Sequence, residues 1–304
     1  MSLRLPVINA YLRWVIKRGL AKVPTPQQAR ANMERTTARL PVSRRGLHVT
    51  TERVDGPGGP IPVEWVAPEG ATRRRVIVYL HGGAHVMGSP RTHRAITFSL
   101  ARMSGMRVAV PDYRLAPEHP APAARDDAVA LYADLLRNGH EGGGIALAGE
   151  SSGGGLCFSA LLALAERGFP RPACVAAFSP WCDLTKRAAS VSENARREAM
   201  LPVERWDETV GYVTGGAREA DDPVVSPLFG RFRDPPPVLI QASRDEILRD
   251  DALAMAERLR EAGGAVTLEM HPKVPHAWPY FAPYLPEARE ALARAAAFLD
   301  AHVT

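Results

Sequence analysis

Cysteine is scarce in this chain: Cys157, Cys174 and Cys182 are the only three in 304 residues. An odd trio cannot build a disulfide framework, and Cys157 and Cys174 sit in apolar runs, as buried thiols would. No apolar run reaches the length of a transmembrane helix. The opening stretch, Met1 to Lys22, interrupts its apolar residues with Arg4, Arg13, Lys17 and Arg18 and lacks a small-residue cleavage site. These absences predict a chain without stable membrane insertion that stays in a reducing cytoplasm. No long-period repeat is visible, which sets aside solenoids and propellers. The net charge of +5 and pI near 9.3 come mostly from arginine, much of it before residue 50. No aromatic-and-basic repeat or recognition helix accompanies that charge, so a solvated basic face is expected and no nucleic-acid partner. The spacing His81-x-x-x-His85 matches a metal pair only on a helix. Here it lies on a glycine loop without further ligands, so no metal site is expected.

What is present is a 46% hydrophobic chain, enough for one large α/β domain or a core with a modest second lobe. Residues 1 to about 40 read as helices. Val7, Ile8, Tyr11, Leu12, Val15 and Ile16 recur at helical spacing, as a stripe that either packs on the core or lids a pocket. Leu47–Val54 and Pro62–Ala67 flank a turn-rich Gly/Pro segment and read as a hairpin. Val76–Leu80 is a continuous apolar run, expected as a central parallel strand buried on both faces. Then follow a helix over Arg91–Met103, a strand over Arg107–Val110 and a helix over Pro122–Leu136. A strand over Ile145–Ala148, a helix over Leu156–Arg167 and a strand over Cys174–Phe178 continue the alternation. Such alternation implies a parallel sheet with helices on both sides. Residues 181 to about 230 break the rhythm and read as an insertion. Strand Pro237–Ser243, helix Leu248–Ala262, strand Ala265–Met270 and helix Pro286–His302 restore it.

The chain is organised around Gly149-Glu150-Ser151-Ser152-Gly153, a Gly-x-Ser-x-Gly turn between strand and helix. That context holds a central serine in a strained conformation with its hydroxyl exposed. Gly153, Gly154 and Gly155 each cost a helix about 1 kcal/mol against alanine, so close packing of helix on strand is expected beneath the turn. Acyl transfer from Ser151 needs a base, an acid to orient the base, and oxyanion donors. The base should stand in a loop after the last strand, where His276 lies; His271 is closer to the strand and so the weaker candidate, and His302 lies at a frayed end. One oxyanion donor is the N–H of Ser152. Others should come from the loop after the central strand, where Gly82 and Gly83 fit.

His81-Gly82-Gly83-Ala84 resembles the His-Gly-Gly-Gly loop of the hormone-sensitive-lipase-like esterases (bacterial family IV) in the α/β-hydrolase superfamily. Asp112-Tyr113-Arg114-Leu115-Ala116-Pro117-Glu118-His119-Pro120 resembles the family's most distinctive stretch. Gly149-Glu150-Ser151-Ser152-Gly153-Gly154 resembles its Gly-Asp-Ser-Ala-Gly-Gly elbow, and Ser179-Pro180-Trp181-Cys182-Asp183-Leu184-Thr185 also matches. The likeness runs from about residue 46 to the end. It implies an α/β-hydrolase fold with a mostly parallel eight-stranded sheet. The core would be residues 46–180 and 231–304, with a helical cap from residues 1–45 and 181–230. It implies cofactor-free hydrolysis of a small-molecule carboxylic ester through an acyl-enzyme. Short to medium acyl chains are expected, since the insertion is small and no large lipid-docking surface is apparent. Ala84 stands for the third loop glycine, and Glu150 and Ser152 for the Asp and Ala beside the nucleophile. Asp112, Arg114, Glu118 and Asp183 are assigned to holding loops.

For the acid, the family pattern is Asp-Pro-Leu-Arg-Asp with the first Asp catalytic. Laid without gaps on Leu248-Arg249-Asp250, it places the role on Glu246 rather than Asp245, with Asp245 kept as the alternative. The other of the two would cap the next helix or face solvent. Asp250 and Asp251 are explained by the helix dipole. An amidase on the same machinery, or a non-catalytic receptor of the same fold like the plant gibberellin receptors, are rival readings. Those receptors lack the histidine that His276 supplies. The physiological ester, stereopreference and oligomeric state stay open, a homodimer being one option.

Overall fold

The computed structural model describes residues 2–23 and 25–304. The chain opens with α1 (Arg4–Tyr11), a π-helical stretch (Leu12–Lys17) and α2 (Arg18–Lys22). Next is α3 (Pro26–Thr37), where the Thr25 hydroxyl caps the Gln28 N–H and Pro26 begins the first turn. Then come the hairpin β1 (Leu47–Gly56) and β2 (Gly59–Pro68), β3 (Val76–Leu80), α4 (Arg94–Ser104), β4 (Arg107–Pro111), α5 (Ala123–Arg137), β5 (Ile145–Glu150), α6 (Ser152–Glu166) and β6 (Val175–Phe178). The insertion contributes α7 (Ala189–Glu193) and α8 (Trp206–Thr214). The chain closes with β7 (Val238–Ser243), α9 (Arg249–Glu261), β8 (Val266–His271) and α10 (Pro286–His302).

The eight strands form one sheet in the order β1-β2-β4-β3-β5-β6-β7-β8, antiparallel at β1–β2 and β2–β4 and parallel thereafter. Every residue of β3, β5, β6 and β7 is buried, because helices cover both faces of these central strands. One face packs Leu131, Leu156 and Met255 of α5, α6 and α9; the other packs Phe98 and Leu292 of α4 and α10. A third apolar cluster, including Trp181, Leu184, Trp206 and Val213, ties the insertion to Ile247 and Leu248.

Two differences from expectation have simple causes. The helix expected from Arg91 begins at Arg94, because Ser89 and Thr92 close a side-chain turn first, with the Ser89 N–H donating to Thr92 Oγ1 at 2.9 Å. The N-terminal stripe splits: Leu12 is buried and Ile8 and Ile16 half-buried, while Val7, Tyr11 and Val15 are exposed. Leu5, outside the stripe, joins the core cluster on one sheet face, and Ile8 packs against it. Among the described residues, no helix is long and apolar enough to cross a membrane.

Candidate active site

Ser151 lies between the end of β5 and the start of α6, half-buried, at φ 55° and ψ −127°. Few non-glycine residues occupy that region, and such strain persists only where neighbours enforce it. Two glycines show how. A Cβ at Gly153 would overlap the Leu80 carbonyl oxygen, and one at Gly155 would overlap that of Trp181. The first turn of α6 therefore rests directly on the end of β3 and on the loop that follows β6. The Ser151 N–H donates to Phe178 O at 2.9 Å, and its carbonyl accepts from the Trp181 N–H at 2.9 Å. Four of the eight non-glycine residues with positive φ among those described are tied at or next to the elbow: Ser151 itself, His85 through the Ser152 hydroxyl, and the bonded pair Ser179 and Ala277. Strain is concentrated where a functional geometry has to be held.

His276 reaches the same end of the sheet through Ser179. The residue after Phe178 offers its Oγ to the Ala277 N–H at 3.1 Å, fixing the His276 loop beside the elbow. From below, Ser243 Oγ donates to Val274 O at 2.6 Å. His276 and Glu246 are each 1% exposed. His276 Nδ1 faces Glu246 Oε2 at 2.5 Å, and Glu246 Oε1 accepts the Ser243 N–H at 2.7 Å. This pairing puts the proton on Nδ1 and leaves Nε2 as the lone-pair nitrogen, with no hydrogen-bond partner among the described residues. Burial pushes the imidazole pKa down, but the hydrogen bond and charge of Glu246, helped by Glu198 and Glu150, outweigh it. The net displacement is upward from the usual histidine value.

Asp245 stands outside this pair. Its Oδ2 accepts the Lys273 N–H at 2.7 Å, so it steadies the His276 loop rather than capping the next helix. His271 faces Glu269 at the end of β8, away from the pair. Asp251 and Asp250 do lie in the first turn of α9, but the dipole is a minor part of their work. Buried Asp251 accepts the N–H groups of Cys182 and Asp183 at 2.7 and 2.8 Å, and Asp250 accepts that of Ser190 at 2.7 Å. Burial pushes the Asp251 carboxyl upward despite those bonds.

The oxyanion loop requires a correction. The Gly82 N–H donates to Glu150 Oε1 at 2.5 Å and is buried, so it is not free to meet a substrate. Glu150 also accepts the Tyr79 hydroxyl and lies 2.8 Å from His93 Nε2. A glutamate beside the nucleophile is long enough to reach across and occupy that N–H. The next two residues, Gly83 and Ala84, are partly open, and their N–H groups, like that of Ser152, are given to no other group among the described residues. Ser152 adds a tie through its side chain, whose Oγ accepts the His85 N–H at 3.2 Å. His81 lies beneath the loop, stacked on Tyr113 at 4.2 Å, and burial with the nearby His93 pushes it down to about 3. It stays neutral and structural. His85 is likewise pushed down by burial, to about 4. Among the described residues no three His, Cys, Asp or Glu side chains gather as a metal site would require. Burial raises all three cysteine thiols, Cys174 to about 12, which makes them poor nucleophiles.

Other groups act at a distance from the sequence motifs. Glu198, 1% exposed in the insertion, accepts the Ile247 N–H at 3.2 Å, and Asn194 Nδ2 donates to Glu246 O at 2.9 Å. Asn194 Nδ2 also donates to Arg244 O at 3.0 Å, so the insertion grips the backbone on both sides of Glu246. On the other flank Arg30 of α3 donates to Val86 O and Ala116 O and pairs with Glu118, whose carboxyl it holds down at about 2. Arg114 forms a fork with buried Asp127, and Asp183 Oδ1 accepts the Thr185 N–H. Glu198 and Asn194 carried no motif, and nothing local in the sequence marks them.

A family model described as the alpha/beta hydrolase fold matches residues 77–280. The crystal structure of an esterase from the bacterial hormone-sensitive lipase family superposes with a TM-score of 0.92 at 37% identity, covering 100% of this chain and 99% of that one. The chain belongs to the bacterial hormone-sensitive-lipase family of the α/β-hydrolase fold. It is also similar to an acetyl-hydrolase of Streptomyces hygroscopicus, 39% identical over 241 residues, covering 79% of this chain and 80% of that relative. An esterase of Acinetobacter venetianus is 34% identical over 228 residues, covering 75% of each chain. The elbow, the oxyanion loop and the His276 loop stand in this family member at the carboxyl ends of the central strands, where open parallel sheets place their ligands.

Proposed function

We propose that this chain is a serine carboxylesterase acting through Ser151, His276 and Glu246. The observation that carries the reading is the buried Glu246–His276 pair, its Nε2 unpartnered, on a loop tied through Ser179 to the strand end that holds the strained Ser151. Ser151 Oγ attacks the ester carbonyl carbon as its proton passes to His276 Nε2. The carbonyl π electrons move onto oxygen, and the N–H groups of Gly83, Ala84 and Ser152 receive that charge. The intermediate collapses, the C–O bond to the alcohol breaks, and His276 returns the proton to the leaving alkoxide. Water, activated by the same histidine, then attacks the acyl-enzyme and releases the acid. Glu246 holds the Nδ1–H tautomer and stabilises the imidazolium.

Residues 1–45 and 181–230 act as a cap on the core of 46–180 and 231–304. A cavity of about 420 Å³ supports this: Leu5, Pro6 and Asn9 of α1 and Glu198 of the insertion line it together with Glu246 and His276. One of the relatives is named an acetyl-hydrolase, which supports a preference for short acyl chains. Turnover of a nitrophenyl ester series from acetate to decanoate tests the reading. Rates should be highest at the short end and vanish in Ser151→Ala. A folded Ser151→Ala protein with near-wild-type turnover would overturn the serine mechanism.

A further inference from the structure

The helix at the start of the chain has two apolar faces, and only one of them is covered. Leu5 and Leu12 turn inward and are buried. Leu3 is 93% exposed, Val7 69%, Tyr11 52%, Trp14 59% and Val15 52%. These are five of the nine large exposed apolar side chains among the described residues, so the patch is a concentration and not ordinary scatter. Their spacing of three and four residues sets them on one helical face.

The charge carried by this N-terminal segment is of one sign. Residues 1–33 contain six basic residues, Arg4, Arg13, Lys17, Arg18, Lys22 and Arg30, and no Asp or Glu. Arg4, Arg13, Arg18 and Lys22 are exposed. The Arg18 guanidinium lies over the Trp14 ring, 4.2 Å from its centroid, which joins cation and apolar surface into one patch. A second copy of the chain is a poor cover, because two-fold symmetry would bring the exposed Arg18 and Lys22 of one copy toward those of the other. A negatively charged lipid surface satisfies both halves at once, taking the apolar side chains into the headgroup boundary and the cations onto its phosphates.

Contrary to the sequence expectation that no large lipid-docking surface is present, we propose that this outer face docks the protein on anionic lipid–water interfaces, with Leu3, Val7, Tyr11 and Trp14 entering the interface. The opposite side of the same helix lines the cavity that holds His276. Docking would therefore bring that cavity to the interface, where apolar esters concentrate. The docking surface itself does not depend on the esterase reading.

The test uses vesicles of phosphatidylcholine alone and of an equal mixture with phosphatidylglycerol, followed by co-sedimentation and tryptophan emission. Trp65, Trp181, Trp206 and Trp278 are all buried, so a blue shift and protection from acrylamide report Trp14. The expected result is binding to the mixed vesicles, weaker by about tenfold or more on phosphatidylcholine alone and at high salt. Replacing Val7 and Trp14 together by Glu should weaken it at least about tenfold with an unchanged circular dichroism spectrum. If that double variant misfolds, Arg18→Gln and Lys22→Gln serve instead, each weakening binding roughly fivefold. Equal binding to both vesicles, no binding to either, or unaltered binding by folded variants would overturn the proposal. So would a lipid-free dimer, seen by sedimentation velocity, that the double variant abolishes.

Discussion

Replacing Glu246 by Gln separates the two carboxylates of the acid loop. The carboxylate accepts on both oxygens, Oε1 from the Ser243 N–H at 2.7 Å and Oε2 from His276 Nδ1 at 2.5 Å. An amide has only one acceptor oxygen. If that oxygen stays with Ser243, the amide NH₂ faces His276 Nδ1, which must then accept. The ring proton moves to Nε2, and the base that should receive the Ser151 proton is lost. If the amide turns over, NH₂ faces the buried Ser243 N–H, at a cost of about 1–3 kcal/mol for an unsatisfied donor. The first arrangement avoids that cost and is expected. Loss of the correct tautomer costs on the order of 10⁴ in turnover in serine proteases, about 5 kcal/mol. Asp245→Asn removes little: an amide oxygen can still accept the Lys273 N–H, and turnover should fall only a few-fold, for about 1 kcal/mol. The pH profile gives a second readout. Glu246 holds His276 above its usual value against the opposing effect of burial. Activity needs the neutral ring, so the wild-type acid limb should lie above the usual histidine pKa and rates should rise as pH passes it. In Glu246→Gln only the lesser charges of Glu198 and Glu150 oppose burial, and the residual acid limb should move to lower pH. Nitrophenyl acetate turnover from pH 4 to 10 on folded variants decides the matter. The reverse ranking of the two variants, or an acid limb that does not move, would refute the assignment of Glu246.

Asp251→Ala should leave two buried N–H groups, those of Cys182 and Asp183, without an acceptor. It should cost about 2–6 kcal/mol of stability in urea unfolding, whereas a surface-like loss below about 0.5 kcal/mol would contradict the role. Gly155→Ala places a methyl group against the Trp181 carbonyl and should cost about 3 kcal/mol or more; an unchanged urea midpoint would show that α6 can lift off the sheet. Deleting residues 1–40 removes one wall of the cavity beside His276. It should change the acyl-length profile or inactivate the enzyme, and an identical profile in a folded truncated protein would argue against a cap.

The order of strands and helices was legible because burial on both faces writes continuous apolar runs such as Val76–Leu80 and Ile145–Ala148, and because glycines mark the elbow. The place of His276 after the last strand was equally readable, since it depends on chain order alone. An ungapped register put the acid role on Glu246 ahead of Asp245, and the structure pairs Glu246, not Asp245, with His276. Other features depended on which groups meet across long sequence separations. Gly82 looked like a free donor until the fold brought Glu150 to its N–H, 68 residues along the chain. Asp251 looked like a helix-start charge until β6 delivered Cys182 and Asp183 to it. Glu198 and Asn194 had no motif because their partners are backbone groups beside Glu246, which no local pattern encodes. The N-terminal helix shows the same limit. Periodicity placed apolar residues on a helix, but only tertiary packing decided that Leu5 and Leu12 turn inward while Val7, Tyr11 and Val15 face solvent. A sequence records which side chains avoid water; what covers each of them is a property of the assembled surfaces.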